Sequence, residues 1–238
     1  TVTCVNDEPD FTAANPPAVN ENSGAQTIPG WVTAIDLGPA DEDVSQSVLG
    51  YIISNSTCGT LLSVQPVVDT SGTLTYTVAA SQNGTCTFDA QVQDDGGIAG
   101  GGDDTGPIHT FTITVNSVPP VVISSLRADP NPTGAASVDF DVTFSEDVTG
   151  VDVSDFTVTA GGSIIGASVT FVNGTGATRT VTVNTGAGSG TIRLDVVDDD
   201  SIRDLANNPL GGPGVCIEDT TTGEFYTVDR GAPTIVTN

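Results

Sequence analysis

Apolar and polar residues alternate in short runs along most of this chain, with Gly, Asn, Asp, Ser and Pro between them. Strand-like runs fall at 31–35, 49–54, 73–79, 86–93 and 108–115 in the first half. The second half repeats the habit at 121–126, 137–144, 156–160, 167–172, 179–184, 190–196 and 225–228. A period of two puts alternate side chains on opposite faces of a strand, so each run offers one face to a core. No stretch keeps an apolar period of about 3.6 residues over three turns, so helices are expected to be minor. About seven strands per half, separated by turn signals, is the pattern of a β-sandwich. The expected fold is all-β, with two tandem β-sandwich domains.

The boundary is expected near Val118-Pro119-Pro120, where prolines stop a strand's ladder from continuing. Three places share the form of a final strand, a short polar link and a proline: 1–9 ending at Pro9, 112–119 ending at Pro119, and 225–233 ending at Pro233. This predicts a strand at 1–5 that complements another module, a first domain over 6–117 and a second over 118–238. The pattern is that of a link in a string.

Several motifs carry a family resemblance. Asn6-Asp7-Glu8-Pro9, Val19-Asn20-Glu21-Asn22-Ser23-Gly24, Ala34-Ile35-Asp36, Leu49-Gly50-Tyr51 and Asp94-Asp95-Gly96-Gly97 resemble the bacterial cadherin-like modules of tandem surface proteins, over most of 6–117. That resemblance implies Ca²⁺ bound at module junctions by Asp7, Glu8, Glu21, Asp36 and Asp95. The chain departs from the pattern in lacking a mid-domain Asp-Arg-Glu, and its second link, Asn116-Ser117-Val118-Pro119, carries no aspartate. Phe144-Ser145-Glu146, Val153-Ser154-Asp155-Phe156, Leu194-Asp195 and Ile202-Arg203-Asp204-Leu205-Ala206-Asn207 are similar to bacterial Ig-like repeats, over nearly all of 119–233. Together the resemblances imply Greek-key Ig/cadherin-like sandwiches and a structural module of a surface, adhesin or filament protein.

The 238 residues suffice for two cores, and they carry a formal charge of −25 from 30 acidic and five basic side chains. All five bases are arginine, and lysine and methionine are absent. Such a field repels phosphate, which excludes nucleic acid and an anionic membrane as partners. No apolar run approaches the roughly 18 residues of a membrane span. Aspartates outnumber glutamates 24 to six, which puts the charge in loops and turns.

The acids are also clustered, and carboxylates confined in one loop repel unless a cation lies among them. Ca²⁺ takes six to eight oxygens from carboxylates and carbonyls, which loops rich in Asp, Asn and Gly supply. Three candidate calcium sites follow: the linker Asp7, Glu8 and Asp10 with Glu21; the loop of Asp94, Asp95, Asp103 and Asp104; and the loop of Asp195, Asp199, Asp204 and Asn207. Gly96, Gly97 and Gly100 to Gly102 would give the second loop the freedom to bring its aspartates together.

Catalysis finds little footing. The only histidine, His109, shares its strand parity with Phe111, Ile113 and Val115, so it is expected at the rim of a core. A triad would have to be built around that residue alone. Paired carboxylates for glycoside hydrolysis are available, but one Trp and three Tyr make a poor sugar platform.

Four cysteines indicate an oxidising compartment. Cys58 and Cys86 flank one hairpin-like stretch and are expected to pair. Cys4 and Cys216 remain, as an intersubunit bridge or, alternatively, with Cys4 joined to Cys58 inside the domain. Asn55, Asn83 and Asn173 head N-glycosylation triplets, each in an expected turn.

These features lead to an extracellular structural protein, the protomer of a calcium-stabilised head-to-tail homopolymer. In it the strand at 1–5 would add to the last strand of a neighbouring copy, locked by Cys4 and Cys216. Spacer modules of a large surface adhesin, or a non-catalytic accessory region of a secreted hydrolase, are the alternatives.

Overall fold

The computed structural model describes residues 5–42, 44–214 and 223–231. The chain divides into two compact units, the first ending at Ser117 and the second beginning at Val118. Among the described residues, regular structure is strand apart from two single 3₁₀ turns.

The first unit contains β1 (Asp10–Ala13), β2 (Val19–Asn20), β3 (Ala25–Ile28), β4 (Val32–Asp36), β5 (Val48–Ser54), β6 (Leu62–Val68), β7 (Leu74–Val78), β8 (Gly84–Asp94) and β9 (His109–Asn116). They form sheets ordered β2-β9-β8-β5 and β3-β7-β6, with β1 and β4 as a separate pair. Alternation is cleanest on β8, where Cys86, Phe88, Ala90 and Val92 point inward, and on β9, where Phe111, Ile113 and Val115 do. These meet Leu62, Leu74, Tyr76 and Val78 of the other sheet in one core, which makes the unit a sandwich. Phe11, Trp31, Phe88 and Phe111 pack ring to ring within it, with Trp31 and Phe111 at 4.6 Å. The Trp31 indole N–H donates to Ala14 O at 2.8 Å, so the buried ring leaves no donor unpaired. Pairing is antiparallel except between β2 and β9, which run parallel with Val19 opposite Val115.

The second unit contains β10 (Val122–Arg127), β11 (Ser137–Phe144), β12 (Val148–Thr149), β13 (Phe156–Gly162), β14 (Ser168–Asn173), β15 (Thr178–Asn184), β16 (Gly190–Val196), β17 (Arg203–Asp204) and β18 (Phe225–Val228). Its sheets are β10-β11-β15-β14 and β13-β16-β18, with β12 and β17 paired. Val138, Phe140, Val142, Val181 and Val183 of one sheet face Ile192, Leu194, Tyr226 and Val228 of the other. Tyr226 ties the sheets together: its ring meets Phe140 edge-on at 5.0 Å, and its hydroxyl accepts from Asp129 N–H and donates to Asp139 O.

All twelve runs expected from alternation are strands. Six elements lie outside them. β1, β2, β3, β12 and β17 have two to four residues, too few to show a period. β6 contains Pro66, which argues against a strand; the structure places that proline where the pairing register with β7 shifts, between Val64 and Val67 of an edge strand.

Candidate metal centre

One end of the first unit collects buried polar groups around Asn6. Its side-chain amide donates to Asp94 Oδ1 at 3.1 Å and to Asp103 O at 2.7 Å, and its Oδ1 accepts from Gln46 Nε2 at 2.7 Å. Its backbone carbonyl takes the Asp103 N–H. Next to it, the Asp7 N–H donates to both oxygens of the buried Glu42 carboxylate. Asp94 is 1% exposed, and its Oδ1 also accepts the Gly96 N–H. Its Oδ2 has no partner, and neither does the buried Gln46 Oε1. An unpaired carboxylate oxygen at that depth costs stability unless something positive meets it. The first unit has no lysine or arginine to do so.

Gly97, Gly100 and Gly101 take the positive φ that the loop needs, and two further glycines give clearance. A Cβ on Gly96 would collide with Asn6 Oδ1, and one on Gly102 would stand 2.8 Å from Gly97 O and 2.9 Å from Asn6 Cβ. Gly96 and Gly102 allow the linker to seat against the loop.

The expected ligands divide as follows. Asp95 accepts from both N–H and Oγ of Ser47, bonds that hold its carboxyl below the usual carboxylate range. Asp103 accepts from Thr105 N–H, and Asp104 from the Thr105 hydroxyl and Gln93. Asp36 closes its own turn by accepting from Gly38 N–H, and Glu8 is exposed. Asp10 stands opposite Asp36 in the β1–β4 ladder and contacts His109 Nε2 at 2.7 Å. Among the described residues, no three Asp, Glu, His or Cys side chains form a ready metal cage. The oxygens left without a partner around Asn6 are therefore Asp94 Oδ2 and Gln46 Oε1, each on the side of its group that does not bond Asn6.

Glu21 does not join the linker. It is buried beside Asn83, whose amide donates to it, and its N–H donates to Asn116 O, at the Gly84 end of β8. Asp94 ends the same strand ten residues on, so the two carboxylates lie about 30 Å apart.

The residues expected to form a site in the second unit have protein partners. Asp195 is buried and receives Arg193 Nε at 2.6 Å, Arg193 Nη2 at 3.2 Å and the Thr159 hydroxyl. Asp199 accepts from Ser201, and Asp204 from the N–H and amide of Asn208. Asn207, at φ 69°, turns the chain there, and its carbonyl accepts from Arg203. The bonds at Asp199 and Asp204 are the turn-closing bonds typical of short polar side chains. Sequence reasoning passed over Asp155, which is fully buried, accepts from Ser201 Oγ and Asp152 N–H, and has its carboxyl pushed up by burial.

Cys58 and Cys86 form a disulfide with Cα atoms 4.8 Å apart, which leaves Cys58 unavailable to Cys4. Cys4 and Cys216 lie outside the described residues. Of the triplet asparagines, Asn55 and Asn83 use their amides to bind Asp89 and Glu21, while Asn173 ends β14. His109 packs edge-on to Phe11 and lines an open cleft of about 420 Å³ with Asp10, Asn15 and Phe111; no Ser or Cys lines it.

The last strand does not offer the free edge that strand addition beside it requires. Away from β16, Thr227 N–H donates to Asn131 Oδ1, Thr227 O accepts from Thr133 N–H, and Phe225 O accepts from Arg127. The chain itself occupies that edge.

No protein-family model and no curated protein sequence matches this chain. Solved structures overlap it loosely. The D00-D0 domain of intimin covers 93% of this chain and 98% of its own at 10% identity and a TM-score of 0.30. FdeC, an Escherichia coli adhesin, covers 94% and 66% at 14% identity and 0.31. InvD of Yersinia pseudotuberculosis covers 97% and 60% at 15% identity and 0.28. Overlaps this loose support no inference about this chain.

Proposed function

We propose that this protein is an extracellular structural protein whose first unit binds Ca²⁺ at its Asn6 end, and that it serves as a protomer of a head-to-tail cell-surface polymer. The observation that carries the reading is the buried, unpartnered Asp94 Oδ2, with Gln46 Oε1 also unpartnered on another side chain bonded to Asn6, in a unit without lysine or arginine. Hard oxygen donors of this kind suit calcium. The Cys58–Cys86 bridge agrees with an oxidising, extracellular setting. Because the edge beside β18 is taken, the joining strand would need another acceptor. A contact between unlike surfaces does not close on itself, so it would propagate.

Electron microscopy of undenatured protein, with and without a calcium chelator and a reductant, tests this. Fibres that loosen on chelation are expected. Isolated particles in calcium and in chelator alike would favour the spacer reading and sink the polymer. Calorimetric titration with Ca²⁺ tests the site separately: binding should be lost in Asp94→Asn, and a titration without heat at millimolar Ca²⁺ would remove the metal.

A further inference from the structure

Edge strands expose unpaired N–H and C=O groups, and proteins usually guard them with charge, proline, breaks or shortness. Most edges of this chain are guarded. β6 carries Pro66 and two register breaks, and β3 has four residues. β5 lies beside Asp89 and Asp94 of β8, β10 beside Asp139 and Asp141 of β11, and β13 beside Arg193 and Asp195 of β16. The edge of β18 is filled by the chain.

β14 lacks these guards apart from one register break, between Val169 and Phe171. It has six residues, no proline and no charge, and its neighbour β15 carries only Arg179, whose side chain is buried against backbone carbonyls. Among the described residues, every backbone hydrogen bond of β14 runs to β15. The neutrality extends well beyond the strand: from Phe156 to Ile192, Arg179 is the only charged residue in a chain of net charge −25. Phe171 stands 57% exposed on this edge. β13 and the 3₁₀ turn Val153–Asp155 flank the strand, and the acids of that turn are engaged, Asp152 with Ser154 and the buried Asp155 with Ser201 and the Asp152 N–H.

We propose that β14 is a self-association edge, on which a second copy of this chain lays its own β14 antiparallel. Charge selects that occupant. A basic partner finds nothing to recognise on a neutral edge, and two copies this acidic repel wherever their charged surfaces approach. The same edge of a second copy is neutral, extended and exposed in the same way. Antiparallel pairing of identical strands is two-fold symmetric, so it closes as a dimer and joins two four-stranded sheets into one continuous sheet. It is independent of the calcium reading, because it uses no acidic group.

Sedimentation of the whole chain over a range of concentrations, in chelator throughout, tests the proposal. A monomer–dimer equilibrium is expected, and raising salt from about 20 to about 300 mM should tighten it by screening the repulsion between copies. Phe171→Asp sets like charges close together across the two-fold and should weaken the dimer at least about tenfold. Thr170→Lys, at a second exposed position of the strand, should weaken it too if Phe171→Asp fails to fold. A wild-type monomer at every concentration and salt, or a dimer unchanged in both variants, would overturn the proposal.

Discussion

The two units solve one electrostatic problem in different ways. Residues 1–117 hold 14 acidic side chains and no lysine or arginine, whereas the second half holds 16 acids and all five arginines. In the second unit the arginines are structural. Arg193 grips Asp195, Arg127 pairs with Glu224, Arg179 collects the carbonyls of Val148, Gly176 and Thr178, and Arg230 collects those of Gly134 and Ala135. In the first unit the same work falls to neutral donors such as Asn6, Ser47 and Asn83, and at Asp94 these run out.

The largest way to break this contrast is to remove each unit's main brace. Cys58→Ala with Cys86→Ala should cost the first unit about 3 to 4 kcal/mol. The single Trp31 lies in that unit, so denaturant curves followed by its fluorescence report on it alone. Arg179→Ala removes the buried guanidinium that bonds the carbonyls of Val148, Gly176 and Thr178 and should cost the second unit about 3 kcal/mol, visible by calorimetry but absent from the Trp31 curve.

A smaller change sharpens the comparison by its sign. Asp94→Asn removes a buried carboxylate with one oxygen unpartnered, so without calcium it should stabilise the first unit by about 1 to 2 kcal/mol. Saturating millimolar Ca²⁺ should stabilise only the wild type, by about 1 kcal/mol or more, and narrow or reverse the order. Equal gains in both proteins would show that the metal binds elsewhere.

The smallest effect is in pH dependence. Asp89 accepts from Thr110 and Asn55, which holds its carboxyl below the usual range, so its stabilisation is present above the ordinary carboxylate pKa and lost as pH falls through the lowered value. Asp155 is raised by burial, so its contribution is full below that ordinary value and fades as pH rises through the raised one. Asp89→Asn should therefore cost most near neutrality and Asp155→Asn most in acid. Parallel curves for the two variants would contradict the assignment.

Twelve strands were readable from alternation, because burial on one face of a sandwich dictates that pattern, and β6 was not, because Pro66 interrupts it. The disulfide was readable because the two cysteines flank one hairpin-like stretch. What escaped depended on which ends of strands meet in space. Glu21 and Asp7 are close in sequence to each other, yet β8 places their surroundings at opposite ends of the sandwich. The occupied edge of β18 depends on Asn131 and Thr133, nearly a hundred residues earlier in the chain. Gly96 and Gly102 look flexible as sequence, and only the seated Asn6 shows that they are there for clearance.

The parallel pairing of β2 with β9 bears on how the first unit would carry tension. The chain comes in at Asn6, beside Asp94, and goes out at Asn116, beside Gly84, so a pull between those points runs along the strands rather than across them. Under such a load the bonds of β2 to β9 and of β9 to β8 are stretched in shear and must fail together, instead of opening one by one like a zip. The lifetime of the unit under force is then set by its unfolding rate rather than by its equilibrium stability. A module loaded in this direction is suited to bearing a pull.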